Sequence, residues 1–282
     1  MNEVVKLSSA ATHEFWEIPV LHEDAELLAL EKPAGLLTSP DRQAPERPSL
    51  MRLLHEGLAA GKPWARARNL SYLANAHRLD FETSGALLLA KSKAALVALA
   101  DQFGSDRPLR KYVALAQGVP PDDAFVVAEK IGPHPLQSGR MRIDSRQGKK
   151  ARTEFAVLET FSRWSLLRCV PRMERPQQIA LHLGHARFAL VGDEAHGGKK
   201  LWLSRLKRDF RLKPGREERP LISRPLLHAE EVTVLHPVTG ETVRIQSEWP
   251  KDLRVALKYL RLYAKPGSVE VPSGERGERN GW

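Results

Sequence analysis

Short apolar runs, separated by breaker residues, organise most of the chain after residue 20. The run at 25–31 (AELLALE) ends in the breaker stretch 32–35 (KPAG), after which 36–38 can resume as a strand. Further runs of strand length follow, bounded by turn-forming residues. They predict strands at 85–90, 112–117, 124–129, 153–160, 165–171, 231–235 and 242–247.

Fewer segments carry the spacing of an amphipathic helix. Four leucines between positions 50 and 58 share one helical face, and Ser49 is placed to cap a helix of about ten residues. The segments 94–103, 177–183 and 252–263 predict three more helices. Because strands dominate and the helices follow no regular alternation, we predict a single α+β domain around a mixed, mostly antiparallel sheet flanked by helices and loops.

The pattern changes towards both ends of the chain. Residues 1–19 are expected to form an arm, residues 20–264 the domain, and the polar, glycine-rich residues 265–282 a disordered tail. Within the domain, 61–76 is predicted as a basic loop and 132–152 as a hairpin with exposed basic tips.

The charge balance favours a polyanionic partner. Lys and Arg number 44 against 34 Asp and Glu, which gives a formal charge of +10. Two basic segments, 140–152 and 199–224, are candidate phosphate-binding surfaces, although such charge runs are also common on a solvated face. The candidate side chains include Arg140, Lys149, Lys150, Lys207 and Arg208.

Cysteine usage and the absence of long apolar runs narrow the class of protein. The single cysteine, Cys169, excludes an internal disulfide and fits a reducing, cytoplasmic setting. The N-terminus lacks the apolar run of a signal peptide, and no stretch of about 18 apolar residues is long enough to span a membrane. His182 and His185 lie three residues apart without a clear third ligand, so no metal site is expected.

The segment 77–84 (HRLDFETS) is the strongest candidate for chemistry. It places the carboxylate of Asp80 beside a guanidinium and an imidazole, directly before an apolar strand. A carboxylate on a rigid strand can act as nucleophile or base. Two alternatives remain open from the residues alone: Asp80 can form a structural pair with Arg78, and the aromatic Tyr112 can be a core residue of its strand.

Five segments, in order along the chain, resemble the pseudouridine synthases that act on large-subunit ribosomal RNA and some tRNAs. The resemblance runs from about residue 20 to 262. The segments are 31–40 (EKPAGLLTSP), 77–92 (HRLDFETSGALLLAKS), 110–118 (RKYVALAQG), 184–197 (GHARFALVGDEAHG) and 227–240 (LHAEEVTVLHPVTG).

This resemblance implies a reaction and a set of roles. Such enzymes isomerise uridine without a cofactor: the base is detached from the ribose, turned, and rejoined through carbon 5. By match, Asp80 is the catalytic aspartate and Tyr112 packs on the target ring and helps to deprotonate carbon 5. Arg78 occupies the gap left by the flipped nucleotide, which offsets part of the cost of extruding it. His77 and Thr83, from the same segment, are expected to contact the RNA.

One segment departs from the family pattern. Where the family carries a glycine, a threonine and a histidine, residues 174–182 (ERPQQIALH) have Glu174, Pro176 and Gln177, and Ala180 stands where a basic residue should pair with the catalytic aspartate. Arg172 and Arg175 are nearby in sequence and are the candidate substitutes.

The departure leaves alternative functions open. One is a catalytically impaired RNA-binding protein on the same fold. Another, a nucleic-acid hydrolase that uses Asp80 and Glu82, lacks the further carboxylates of a two-metal site. We expect a monomeric enzyme acting on ribosomal RNA first and tRNA second, with no separate small RNA-binding domain within residues 1–19.

Overall fold

Thirteen strands and six helices form the described part of the protein, a computed structural model that covers residues 3–41 and 44–266. The strands are β1 (Val4–Ser8), β2 (Phe15–Glu23), β3 (Leu27–Lys32), β4 (Ala74–Asn75), β5 (Ser84–Ala90), β6 (Leu109–Gln117), β7 (Ala124–Val127), β8 (Ile131–Pro133), β9 (Met141–Ile143), β10 (Arg152–Thr160), β11 (Trp164–Arg172), β12 (Leu227–Leu235) and β13 (Thr242–Gln246). The helices are α1 (Leu50–Ala59), α2 (Pro63–Ala67), α3 (Lys93–Gly104), α4 (Gln178–His185), α5 (Leu203–Leu206) and α6 (Lys251–Tyr263).

One large sheet carries most of these strands. Its order is β1-β2-β3-β5-β12-β6-β11-β10-β7, with β13 added to β12 and β4 to β5, while β8 and β9 form a separate hairpin. The pairing of β5 with β12 is parallel and the other pairings in this sheet are antiparallel. The predicted α+β class with a mixed, mostly antiparallel sheet is confirmed.

The core lies on both faces of this sheet, and strand β5 is buried at every position. In β5 the side chains of Leu87 and Leu89 pack on the face covered by α1 and α2. Alternate residues, Ala86 and Leu88, pack on the opposite face against α3. The strand that follows the candidate catalytic segment is therefore held from two sides.

Local signals explain the helices that the sequence predicts. The Ser49 hydroxyl accepts the Arg52 N–H and begins α1, and Ser92 accepts the Ala95 N–H in the same way at the start of α3. Such N-caps satisfy a backbone donor that the helix itself leaves free. Both helices lie within a residue or two of the predicted positions.

The predicted arm at 1–19 and the predicted loop at 61–76 are wrong in part. Strands β1 and β2 pair with each other, and β2 continues the sheet through β3. Val5, Leu7 and Ile18 are buried, so apolar burial holds this hairpin in the domain. Residues 61–76 include α2 and β4, whereas 36–38 form only an isolated bridge from Leu37 to Ser49. From residue 267 onward, the predicted tail lies outside the described residues.

A glycine makes the parallel contact between β5 and β12 possible. Gly85 has φ +117°, a region that side chains rarely adopt, and a Cβ there would lie 2.2 Å from the carbonyl oxygen of Ala229. The backbones of β5 and β12 therefore approach each other at Gly85, directly after the 77–84 segment. This contact sets the position at which the segment joins the sheet.

Residues 3–41 and 44–266 carry neither a membrane-spanning helix nor a cluster of metal-binding side chains. No helix among them is long and apolar enough to cross a bilayer. They also contain no cluster of three or more His, Cys, Asp or Glu side chains placed to hold a metal ion.

Candidate active site

Asp80 lies in a short turn whose backbone is fixed by its neighbours. The Thr38 hydroxyl donates to the Leu79 carbonyl at 2.8 Å and accepts the Leu79 N–H at 3.2 Å. The Thr83 N–H donates to the Asp80 carbonyl at 3.1 Å and closes the turn. With Leu79 buried and β5 starting at Ser84, the Asp80 carboxylate is presented from rigid backbone.

Two cationic side chains, Lys32 and Arg224, donate hydrogen bonds to the same turn. The ammonium of Lys32 is buried and donates to the carbonyls of Pro33, Leu36 and Phe81 at 2.9, 2.6 and 3.2 Å. The guanidinium of Arg224 donates to the Glu82 carbonyl at 3.0 Å, to the Ser84 hydroxyl at 3.3 Å, and to the Asp252 carboxylate of α6. These bonds connect the turn to the end of β3 and, through Arg224, to α6.

Asp80 faces the start of α4. Its Oδ2 accepts the backbone N–H of Gln177 at 3.0 Å, and Gln177 stands before the first residue of the helix with φ 58°. An anion at this end of a helix is stabilised by the helix dipole. The carboxylate is open to solvent on one side, which is the arrangement needed to meet a substrate.

The electrostatic environment of Asp80 is mixed. Surrounding protein atoms exclude much of the bulk water and raise the pKa of the carboxyl above its usual value, while the Gln177 N–H, Lys32, Arg78 and His196 act in the opposite direction. For Lys32, burial lowers the pKa to about 7 although the negative charge of Asp80 opposes this shift.

Tyr112 belongs to a second polar network beside Asp80. Its hydroxyl donates to Oε1 of Glu174 at 2.7 Å, and Arg110 donates to Oε2 of the same carboxylate at 2.6 Å. Burial and the adjacent Glu174 carboxylate raise the pKa of Tyr112 well above its ordinary value. Tyr112 is thus a neutral hydroxyl whose proton already points at a carboxylate.

The hairpin of β8 and β9 reaches this site through Gln177. The Gln177 side-chain amide donates to the Gly139 carbonyl at 3.0 Å, and its oxygen accepts the Met141 N–H at 3.1 Å. Arg140, between them, donates to the Ala195 carbonyl at 3.0 Å, next to His196. The predicted basic hairpin therefore brings Arg140 to the neighbourhood of Asp80.

The other predicted RNA-binding cations are distributed around the surface. Arg78 is exposed beside Asp80, and its charge lowers the pKa of that carboxyl. Lys149 and Lys150 are exposed after β9. Lys207 and Arg208 lie at the end of α5, in an irregular excursion whose base is closed by a bridge between Leu201 and Ile222.

Two residues predicted to contact RNA are interior instead. The His77 ring is buried and stacks on Phe103 at a centroid distance of 5.1 Å, and its Nε2 accepts the Leu88 N–H at 3.1 Å. Burial lowers the pKa of His77 to about 3, so this imidazole is neutral. Thr83 is buried in the turn. Both residues shape the turn from inside the protein, so we remove them from the RNA-binding set.

The missing basic residue is not replaced from the nearby sequence. Ala180 is buried in the first turns of α4 and supplies no charge. The Arg175 side chain donates to the Lys150 carbonyl at 3.3 Å, away from the site. The side chains that lower the pKa of Asp80 are Lys32, Arg78 and His196, and Arg172 is not among them.

Comparison with known proteins decides the family. The profile described as RNA pseudouridylate synthase matches residues 26–185, a range that contains both Asp80 and Tyr112. The chain belongs to the RNA pseudouridylate synthase family.

Relatives and solved structures agree with that assignment. The chain is 34% identical over 245 residues to ribosomal large subunit pseudouridine synthase D of Xylella fastidiosa (strain Temecula1), covering 86% of this chain and 70% of that protein. It is 32% identical over 243 residues to synthase C of Escherichia coli (strain K12), covering 86% and 70%. Human RNA pseudouridylate synthase domain containing 4 shares the fold, with a TM-score of 0.62 at 22% identity over 86% of this chain and 92% of that one.

Several residues of this synthase site carry no individual prediction from sequence. Lys32 stands in the EKPAG segment. A charged residue directly after an apolar strand and before a proline is a signal that could have singled it out from the sequence. Glu174 enters the sequence argument only as a lost glycine, whereas the structure shows it as a gained carboxylate bonded to Tyr112. Arg110 precedes Tyr112 by two positions in β6, whereas the fold brings it to Glu174 and brings His196 to Asp80.

Proposed function

We propose that the protein converts a uridine of RNA to pseudouridine with Asp80 as the catalytic carboxylate. The observation that carries this proposal is the placement of Asp80: a solvent-open carboxylate on a rigid turn, bonded to the Gln177 N–H at the start of α4. Family membership supplies the reaction class, and the relatives named as ribosomal large-subunit synthases make ribosomal RNA the first candidate substrate, with tRNA second.

The proposed reaction divides between three side chains. Asp80 assists cleavage of the bond from the base nitrogen to the ribose, after which the uracil turns and carbon 5 bonds to the same ribose carbon. The proton on carbon 5 then leaves towards Tyr112, and the ring nitrogen gains a proton, so the atoms balance as in any isomerisation. The exposed Arg78 beside Asp80 stacks in the gap left by the extruded nucleotide.

The RNA backbone is proposed to run across the basic surfaces that flank the site. Arg140 lies next to the His196 turn, the exposed Lys149 and Lys150 follow the same hairpin, and the 199–224 excursion carries Lys207 and Arg208. Contacts to phosphates from such side chains supply affinity and position more than sequence readout. Since one chain carries all of these groups, we propose that it acts as a monomer.

Tritium release tests the function directly. RNA labelled with tritium at carbon 5 of uridine is incubated with the purified protein, using ribosomal RNA and tRNA as separate substrates. We expect release from ribosomal RNA, accompanied by pseudouridine in the product. RNA binding without release from either substrate would favour the catalytically impaired alternative, for which the loss of the basic residue at Ala180 is the specific argument.

A further inference from the structure

We propose that Glu174 is a positioning residue that receives, through the Tyr112 hydroxyl, the proton that leaves carbon 5 of the turned uracil. The inference rests on the proposed function and adds a group to it. The resemblance assigns a glycine to position 174, so a carboxylate at this point is a feature of this chain.

The geometry is that of a short proton relay. Tyr112 Oη lies 2.7 Å from Glu174 Oε1, within the range of strong hydrogen bonds to a carboxylate. Arg110 holds the other oxygen of Glu174 at 2.6 Å and is itself held by Asp106 at 2.6 Å. One oxygen of the Glu174 carboxylate thus accepts a hydrogen bond from Arg110, and the other accepts one from Tyr112.

The state of Tyr112 explains why a second group is needed. Burial and the Glu174 charge raise the pKa of this hydroxyl well above its ordinary value, so it is not ionised near neutral pH. A neutral phenol is a weak base and cannot keep a second proton. It can take the carbon 5 proton only as it gives its own proton to an acceptor, and Glu174 is the acceptor already in contact.

The proton balance closes without a further reactant. The bond between carbon 5 and its hydrogen breaks, its electron pair restores the ring double bond, and the ring nitrogen is protonated by water. The proton moves to Tyr112 Oη as the tyrosine proton moves to Glu174 Oε1. Glu174 then loses this proton to solvent, and Arg110 stabilises the carboxylate that is regenerated.

Single-turnover kinetics of Glu174→Gln test the relay, because glutamine keeps the shape and accepts the tyrosine hydrogen bond but cannot take its proton. We expect the rate to fall by about 10²–10⁴-fold, with RNA affinity unchanged. The rate difference between uridine carrying hydrogen and deuterium at carbon 5 should increase, since proton removal becomes slower than the other steps. The matched control, Glu56→Gln, removes a carboxylate that is 60% exposed and paired with Arg52 on α1, and should leave all three quantities unchanged.

A double-variant cycle separates the relay from a purely structural role. In a Tyr112→Phe background the relay is already broken, so adding Glu174→Gln should cost little more. Tyr112→Phe alone, which leaves the Glu174–Arg110 pair in place, should also raise the isotope effect.

The contradicting outcomes differ for the relay and for the function on which it rests. Additive losses in the cycle, an unchanged isotope effect, or a Glu174→Gln variant as fast as the wild type would overturn the relay alone. Absence of pseudouridine formation by the wild-type protein would overturn the proposed function and the relay with it.

Discussion

Replacing Lys32 by methionine tests whether the amine buried next to the Asp80 turn has the pKa that its burial implies. The side chain is fully buried, and its ammonium donates to three backbone carbonyls. Methionine has a similar unbranched shape and volume but carries no charge and no hydrogen-bond donor. The substitution therefore removes a cation from the neighbourhood of Asp80 and leaves three carbonyls without this partner.

The magnitude follows from the pKa of Lys32, which burial lowers from its ordinary 10.5 to about 7. Between these two pH values the unfolded chain binds this proton and the folded protein releases it. The free energy of unfolding of the wild type therefore rises with pH across this window, by roughly 1.4 kcal/mol per pH unit from this group alone. Below pH 7 both states hold the proton, so the contribution to the slope disappears.

Urea denaturation at pH 6, 7, 8 and 9, followed by tryptophan fluorescence, measures this difference. The stability advantage of the wild type over Lys32→Met should be nearly constant from pH 6 to 7 and grow by roughly 2–3 kcal/mol from pH 7 to 9. Lys6→Met, which removes an ammonium that is 62% exposed, is the control and should show no such growth. Parallel pH dependences for the wild type and Lys32→Met would refute the lowered pKa of Lys32.

Three further outcomes follow from the site and the fold. The surrounding protein raises the pKa of Asp80 although one side of the carboxylate is open to solvent. We therefore expect kcat/KM to fall on acidification at a pH above the ordinary aspartate value, and Lys32→Met to move this acidic limb to higher pH. An acidic limb at the usual aspartate value would contradict the environment described for Asp80. Gly85→Ala should destabilise the protein by roughly 3 kcal/mol or more in urea denaturation. The new Cβ would meet the Ala229 backbone, and the residue would keep a φ that side chains rarely adopt. A loss below about 1 kcal/mol would contradict the close approach of the two strands. Lys207→Glu combined with Arg208→Glu should weaken RNA binding and reduce the slope of log affinity against log salt by about two; an unchanged slope would remove this excursion from the RNA interface.

Local signals made the central elements predictable. Strand β5 is an unbroken apolar run, and helix α1 combines a leucine face with the Ser49 cap, so both can be placed from neighbouring residues alone. The β1–β2 hairpin was missed because polar residues interrupt the apolar positions of both strands. What holds it is burial of Val5 and Ile18 against distant residues, which no local pattern contains.

The same distinction applies to the site. Asp80 and Tyr112 were identified through contiguous motifs. The bond from Gln177 to Asp80 spans 97 positions, and the bond from Tyr112 to Glu174 spans 62. Only folding reveals such contacts. His77 shows the opposite error: a polar residue within the motif was assigned to RNA, yet the turn directs its ring into the core against Phe103.

The most direct test of the proposed active site is pseudouridine formation by Asp80→Asn under single-turnover conditions, with RNA affinity measured on the same preparation. Asparagine keeps the size of the side chain and its contact with Gln177, but it carries no negative charge. We predict a rate loss of at least about 10⁴-fold with RNA affinity nearly unchanged. Turnover by the variant at a rate close to that of the wild type would contradict the assignment of Asp80.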